Sequence, residues 1–151
     1  KTGVRTFEAA AWLRRAGADT TEVKRFFQID PDTFKVRAKA IANASFYDGG
    51  IAVSICEGQN QDAQVINAQV ADELLNIKGI RASFVAGVND KGITCISARS
   101  LGDINVQVLL EKIGGGGHLN TAGAQVKEKP EEVLEIVLGL LEKGEKNESN
   151  T

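Results

Sequence analysis

Two apolar runs of period two, with a turn able to join them, constrain this chain more than anything else in it. Ile80, Ala82, Phe84, Ala86 and Val88 recur at every second position, which puts them on one face of an extended strand. Asn89-Asp90-Lys91-Gly92 then supplies the residue types of a tight reversal, and residues 93–98 read as the returning strand. Around this hairpin lie a short β-branched strand at 51–56 and another short strand at 124–127. Amphipathic helices are expected at 63–77, with Ile66, Val70, Leu74 and Ile77 in line, and at 130–143, with Leu134, Val137, Leu138 and Leu141 on one face. A further helix is expected at 104–113, with Asp103 as its cap. The fold class that follows is α/β, a mixed β-sheet with a hairpin, covered by helices.

The first part of the chain reads differently. Residues 7–15 form a helix that Thr6 can cap and Gly17 can end, and a short helix follows Asp19-Thr20. Asp30-Pro31 opens a third helix to about residue 44, with Phe34, Ala38, Ile41 and Ala42 on one face. The expected organisation is therefore the end of a preceding domain at 1–30, a linker helix at 31–46, the main body at 47–143 and a disordered polar tail at 144–151. The chain opens on Lys1 and contains no methionine, which suggests a piece of a longer protein with chemistry missing upstream.

Charge narrows the partner. The 18 basic and 20 acidic side chains nearly cancel, whereas a protein that tracks a long nucleic acid usually carries a basic excess. A small ligand fits better. Cys56 and Cys95 lie within apolar strands, without a CxxC spacing or a nearby histidine, and read as reduced, buried thiols rather than metal ligands. No apolar run reaches the ~18 residues a membrane span needs, and a cytoplasmic setting is expected.

Gly114, Gly115, Gly116 and Gly117 stand in a row before His118, the only histidine. Each glycine costs backbone entropy on folding, so four together need a reason. A flexible linker is one; linkers are usually flanked by polar residues, and this run is bounded by a helix and by an Ala-Gly-Ala segment. The other is bare backbone that a ligand approaches closely. Successive N–H groups can hold an anion, and a helix starting after them would add its positive end. His118 can then contact a phosphate or a base. Ser97, Arg99 and Ser100 sit where the 93–98 strand ends. A planar guanidinium suits bidentate phosphate binding, and two hydroxyls can complete it. Asn105, Gln107, Asn120 and Thr121 are polar neighbours able to read a base edge, although such residues more often serve as caps or surface groups.

The stretches Ser97-Ala98-Arg99-Ser100-Leu101-Gly102, Ile104-Asn105-Val106-Gln107, Gly114 to His118 and Asn120-Thr121-Ala122-Gly123-Ala124 resemble the DHH-associated domain of DHH phosphoesterases. The opening Lys1-Thr2-Gly3-Val4-Arg5-Thr6, the turn Gly17-Ala18-Asp19-Thr20 and Ala71-Asp72-Glu73-Leu74-Leu75 resemble the GdpP-like cyclic-di-AMP phosphodiesterases of that superfamily. The resemblance implies that Ser97, Arg99, Ser100, Gly114 to Gly117, His118 and Asn120 bind the nucleotide, and that none of them is catalytic. It places two manganese ions in an upstream DHH domain whose Asp-His-His and companion motifs this sequence does not contain. It also places membrane helices, a PAS-like sensor and a degenerate GGDEF domain upstream, so this would be a cytoplasmic domain of a membrane-anchored parent.

The implied reaction is metal-assisted hydrolysis of cyclic-di-AMP to pApA, with this chain as the substrate-gripping wall of the cleft and inactive alone. The implied partners are a cyclic or short linear dinucleotide and the DHH domain of the same chain. A homodimer stays open, and no long nucleic acid is expected. Two other readings remain: the same module of an oligoribonuclease that also acts on bisphosphate nucleotides, and a non-catalytic nucleic-acid-binding module.

Overall fold

Near-continuous burial along the central strands goes with a sheet that has helices on both faces. The computed structural model describes residues 3–148, with side chains to residue 144. In chain order the elements are α1 (Val4–Arg15), α2 (Thr20–Arg25), α3 (Pro31–Ala42), β1 (Ser45–Tyr47), β2 (Ile51–Gln59), α4 (Ala63–Leu74), β3 (Ala82–Val88), β4 (Thr94–Ser100), α5 (Val106–Glu111), β5 (Gly116–His118), β6 (Thr121–Val126) and α6 (Pro130–Glu148). They fall into two compact units, the first ending at Pro31 and the second beginning at Asp32.

The first unit holds α1 and α2. Asp19 caps α2 by accepting from the Thr21 N–H at 2.7 Å, and Gly17 ends the preceding turn at φ +101°. Neither helix buries a residue. Phe7, Trp12, Phe26 and Phe27 are each more than half exposed.

The second unit is one six-stranded mixed sheet of order β1-β2-β3-β4-β6-β5. β2 and β3 run parallel, with α4 as the crossover, and every other neighbouring pair is antiparallel. The expected hairpin is present as β3 and β4. In its turn Asn89 Oδ1 accepts from the N–H groups of Lys91 at 3.0 Å and Ile93 at 2.9 Å.

On one face Phe84, Ile96 and Ala98 pack with Leu110 of α5 and with Val133 and Val137 of α6. On the other, Ala52, Cys56 and Val85 pack with Ile66, Val70, Ala71 and Leu74 of α4. Burying each large side chain stabilises by about 1.5–3 kcal/mol. Three buried polar groups tie helices to the rest of the unit. Ser54 Oγ donates to the Ala40 carbonyl at 2.6 Å, Ser83 Oγ to Ala71 at 2.7 Å, and Asn67 Nδ2 to Cys95 at 2.8 Å. Asn67 lies over Gly87, where a Cβ would come within 2.7 Å of its Oδ1.

Several boundaries differ from the sequence expectation. Asn105 rather than Asp103 caps α5, accepting from Val108 N–H at 3.3 Å, because Asp103 pairs with Arg81 at 2.9 Å. Strands β1 and β5 are additional; β5 contains two glycines, which strand propensity penalises, and β1 has three residues. Strand β6 begins at Thr121, three residues before the expected start. Helix α6 runs on to Glu148, through a segment expected to be disordered. Its Glu and Lys content favours helix. Residues 149–151 of the expected tail lie outside the described residues.

Both cysteines are free and buried. Burial pushes the Cys56 thiol up from 9.0 to about 12 and raises Cys95 as well. A thiol with a folded pKa above its unfolded one contributes stability below about pH 9, and that stability is lost as pH rises through the folded value. The slope is at most about 1.4 kcal/mol per pH unit for each thiol. Denaturant melts at pH 8 and pH 11 should show a loss of stability that shrinks in Cys56→Ala. An equal loss in both proteins would remove Cys56 from the account.

Candidate functional site

Helix α4 packs on β2, β3 and β4. Its flank toward the remaining strands carries Gln64, Ala68 and Asp72 at intervals of four residues, one above another on a helix. Beyond that flank the sheet is uncovered. Ser97 and Arg99 of β4 stand in register with Gly123 and Thr121 of β6, and these with Gly116 and His118 of β5. All six therefore share one face. The result is a cleft of about 250 Å³ lined by Gln64, Ala68, Ser97, Arg99, Thr121, Gly123 and the Gly116–His118 strand. It adjoins a second cavity of about 340 Å³, which shares Gln64, Gly116 and Gly123 and is also lined by Gly114 and Gly115.

The glycine run separates into distinct roles. Gly114 takes φ +80° and ends α5, its N–H donating to the Glu111 carbonyl at 3.1 Å, while the Gly115 N–H reaches the Leu110 carbonyl at 2.8 Å. A Cβ on Gly115 would meet the Gly123 carbonyl and lie 2.6 Å from Ala124 Cβ. One on Gly117 would meet the Thr121 carbonyl and lie 2.5 Å from Ala122 Cα. Gly116 alone of the four has neither a positive φ nor a neighbour within 4 Å of where its Cβ would stand. A helix ends before the glycines and an edge strand follows, so two of their N–H groups are already spent on helix carbonyls.

Arg99 is the only lysine or arginine lining the cleft among the described residues. Its Nε donates to Asp72 Oδ1 at 2.8 Å and its Nη1 to the Ala98 carbonyl at 3.0 Å. Ser97 is buried, and its hydroxyl donates to the Gln64 carbonyl at 3.3 Å. Ser100 is not in the cleft. Strand alternation turns it to the opposite face with Ala98, where its hydroxyl reaches the Leu119 carbonyl at 3.4 Å. His118 is exposed at the cleft rim.

Asn120 sits in the β5–β6 turn, its carbonyl accepting from the Ser100 N–H at 2.9 Å, and is not among the lining residues. Asn105 is a cap, and Gln107 pairs with Glu111 on α5 at 2.8 Å. Sequence reasoning missed the α4 wall. Its signal was present as the stripe Gln64, Ala68, Asp72, running alongside the buried stripe of Ile66, Asn67, Val70, Ala71 and Leu74.

One guanidinium, one imidazole, hydroxyls and a patch of bare backbone suit a phosphate group. They do not suit a manganese pair. Among the described residues no group of three or more His, Cys, Asp or Glu side chains could hold a metal, and the lining offers one histidine and no carboxylate.

A mixed sheet with helices on both faces and a cleft beside α4 defines an α/β module. The chain belongs to the DHHA1 domain family, which matches residues 48–143. It is 44% identical over 128 residues to the cyclic-di-AMP phosphodiesterase PdeA of Listeria monocytogenes and 45% identical over 128 residues to the cyclic-di-AMP phosphodiesterase GdpP of Geobacillus thermodenitrificans. Each match covers 85% of this chain and 20% of the relative, so the chain spans about a fifth of their length. In fold it resembles the crystal structure of an exopolyphosphatase-related protein from Bacteroides fragilis, at a TM-score of 0.76 and 21% identity over 94% of this chain and 44% of that one. The DHH-family assignment and the mixed α/β fold expected from the sequence are thus both found.

Proposed function

We propose that this chain is the substrate-gripping domain of a phosphodiesterase that hydrolyses cyclic-di-AMP to pApA. The observation that carries the reading is the meeting of Arg99, His118 and the unobstructed backbone of Gly116 in one cleft. The relatives named as cyclic-di-AMP phosphodiesterases supply the ligand. In this reading Arg99 holds a phosphate through charge-assisted hydrogen bonds, Gly116 lets it approach the sheet edge, and His118 orients the nucleotide from the rim.

The two manganese ions and the cutting chemistry belong to an upstream DHH domain. The exposed aromatic side chains of α1 and α2 support such a partner. No described helix is long and apolar enough to cross a membrane, and the proposed setting is the cytoplasmic side of a parent anchored by other segments.

The test is a titration of the 151-residue chain with cyclic-di-AMP, pApA and a long single-stranded RNA, followed by amide NMR at two salt concentrations. Weak, saturable binding of the dinucleotides is expected, with the largest shifts at Arg99, Gly116 and His118. Shifts confined to other surfaces would reject the site. Tight binding of the long RNA with a steep salt dependence would favour the nucleic-acid module instead.

A further inference from the structure

We infer that Asp72 is the positioning residue of this cleft, fixing the guanidinium of Arg99 so that its remaining N–H groups are presented to a bound phosphate. The inference rests on the ligand reading above and adds a residue to it. Asp72 lies two helical turns along from Gln64 on the flank of α4 that walls the cleft, with Ala68 between them. Its Oδ1 accepts from Arg99 Nε at 2.8 Å, and the Ala98 carbonyl takes Nη1 at 3.0 Å. The arginine is thus held at two points, one on the helix and one on its own strand. Both contacts leave Nη2 uncommitted.

The burial of the two partners is unequal. The Arg99 side chain is 18% exposed and that of Asp72 is 61% exposed. A carboxylate this wet adds little to folding stability, so stability alone does not account for the pair. Geometry does. A flexible arginine loses rotamer freedom each time it binds, and an arginine already held has lost it beforehand. The nearby carboxylate also offsets part of the desolvation cost of a guanidinium mostly covered by protein.

The Arg99 Nε–H signal reports this directly. In the wild-type chain it should be resolved and slow to exchange with water. In Asp72→Ala it should move to the averaged position of mobile arginines, while the circular dichroism spectrum stays unchanged because Asp72 is exposed. In Asp72→Asn the amide oxygen can still accept, and the signal should be partly retained. Affinity for cyclic-di-AMP should fall about fivefold or more in Asp72→Ala and less in Asp72→Asn. An unchanged Nε–H signal in Asp72→Ala overturns the inference. So does an unchanged or higher affinity, which would make Asp72 a competitor of the ligand. If the wild-type chain itself fails to bind cyclic-di-AMP, the proposed function falls, and the Nε–H signal still decides whether Asp72 orders Arg99.

Discussion

Gly117→Ala is expected to cost about 2–6 kcal/mol of stability, whereas Gly116→Ala, one residue away, should fold as well as the wild type and bind at least about tenfold more weakly. The first figure has two parts. The new Cβ would overlap the Thr121 carbonyl and lie 2.5 Å from Ala122 Cα, both backbone atoms of β6, and overpacking of this kind typically costs about 1–3 kcal/mol. The backbone at φ +152° adds strain for any side chain, of order 1–3 kcal/mol. Against a total of about 5–15 kcal/mol for an ordinary domain, that is a large share.

At Gly116 neither part applies. Alanine there should even stabilise by up to about 1 kcal/mol by restricting the unfolded chain. Its methyl group would instead stand in the cleft, and affinity for cyclic-di-AMP should fall at least about tenfold, roughly 1.4 kcal/mol. Denaturant melts and ligand titrations on the two variants check this. Wild-type affinity in Gly116→Ala would mean that no ligand touches this backbone.

Arg99→Ala should weaken dinucleotide binding by at least about tenfold, and in the parent enzyme should lower activity by a similar factor with metal content unchanged. Hydrogen bonds to charged groups contribute about 1.5–3 kcal/mol each, and no other lysine or arginine lines the cleft among the described residues. Arg99→Lys keeps the charge and loses the planar fork, and should fall between. Stability should change little, because the partner carboxylate is exposed. Kinetics and metal analysis of the parent separate the outcomes. A loss of metal would point to a structural role, and wild-type kinetics would remove Arg99 from the grip.

The parts of the fold that could be read from the sequence are those with a clean period. The hairpin of β3 and β4 showed itself through alternation, and α4 and α6 through their apolar stripes. The part of the sheet that completes the site did not, because β5 is written in glycine and β6, legible only from residue 124, starts with Thr121, Ala122 and Gly123. Local composition says little about strands whose pairing is settled by partners far along the chain. The same holds for the site. Arg99 and the glycines stood out as types, but Ser100 was grouped with Arg99 by closeness in sequence, when strand alternation sends it to the other face. Asp72 and Gln64 could not be tied to the cleft without knowing which flank of α4 looks toward β6.

Both outermost strands of the sheet, β1 and β5, are only three residues long. An unpaired strand edge invites another chain to extend the sheet, and short edges are one way that natural proteins discourage it. Here the edge that bears Gly116 and His118 offers a foreign strand very few main-chain hydrogen bonds. The proposed phosphate grip can therefore stay uncovered without becoming a template for aggregation, and a continued sheet is a poor route for pairing two copies.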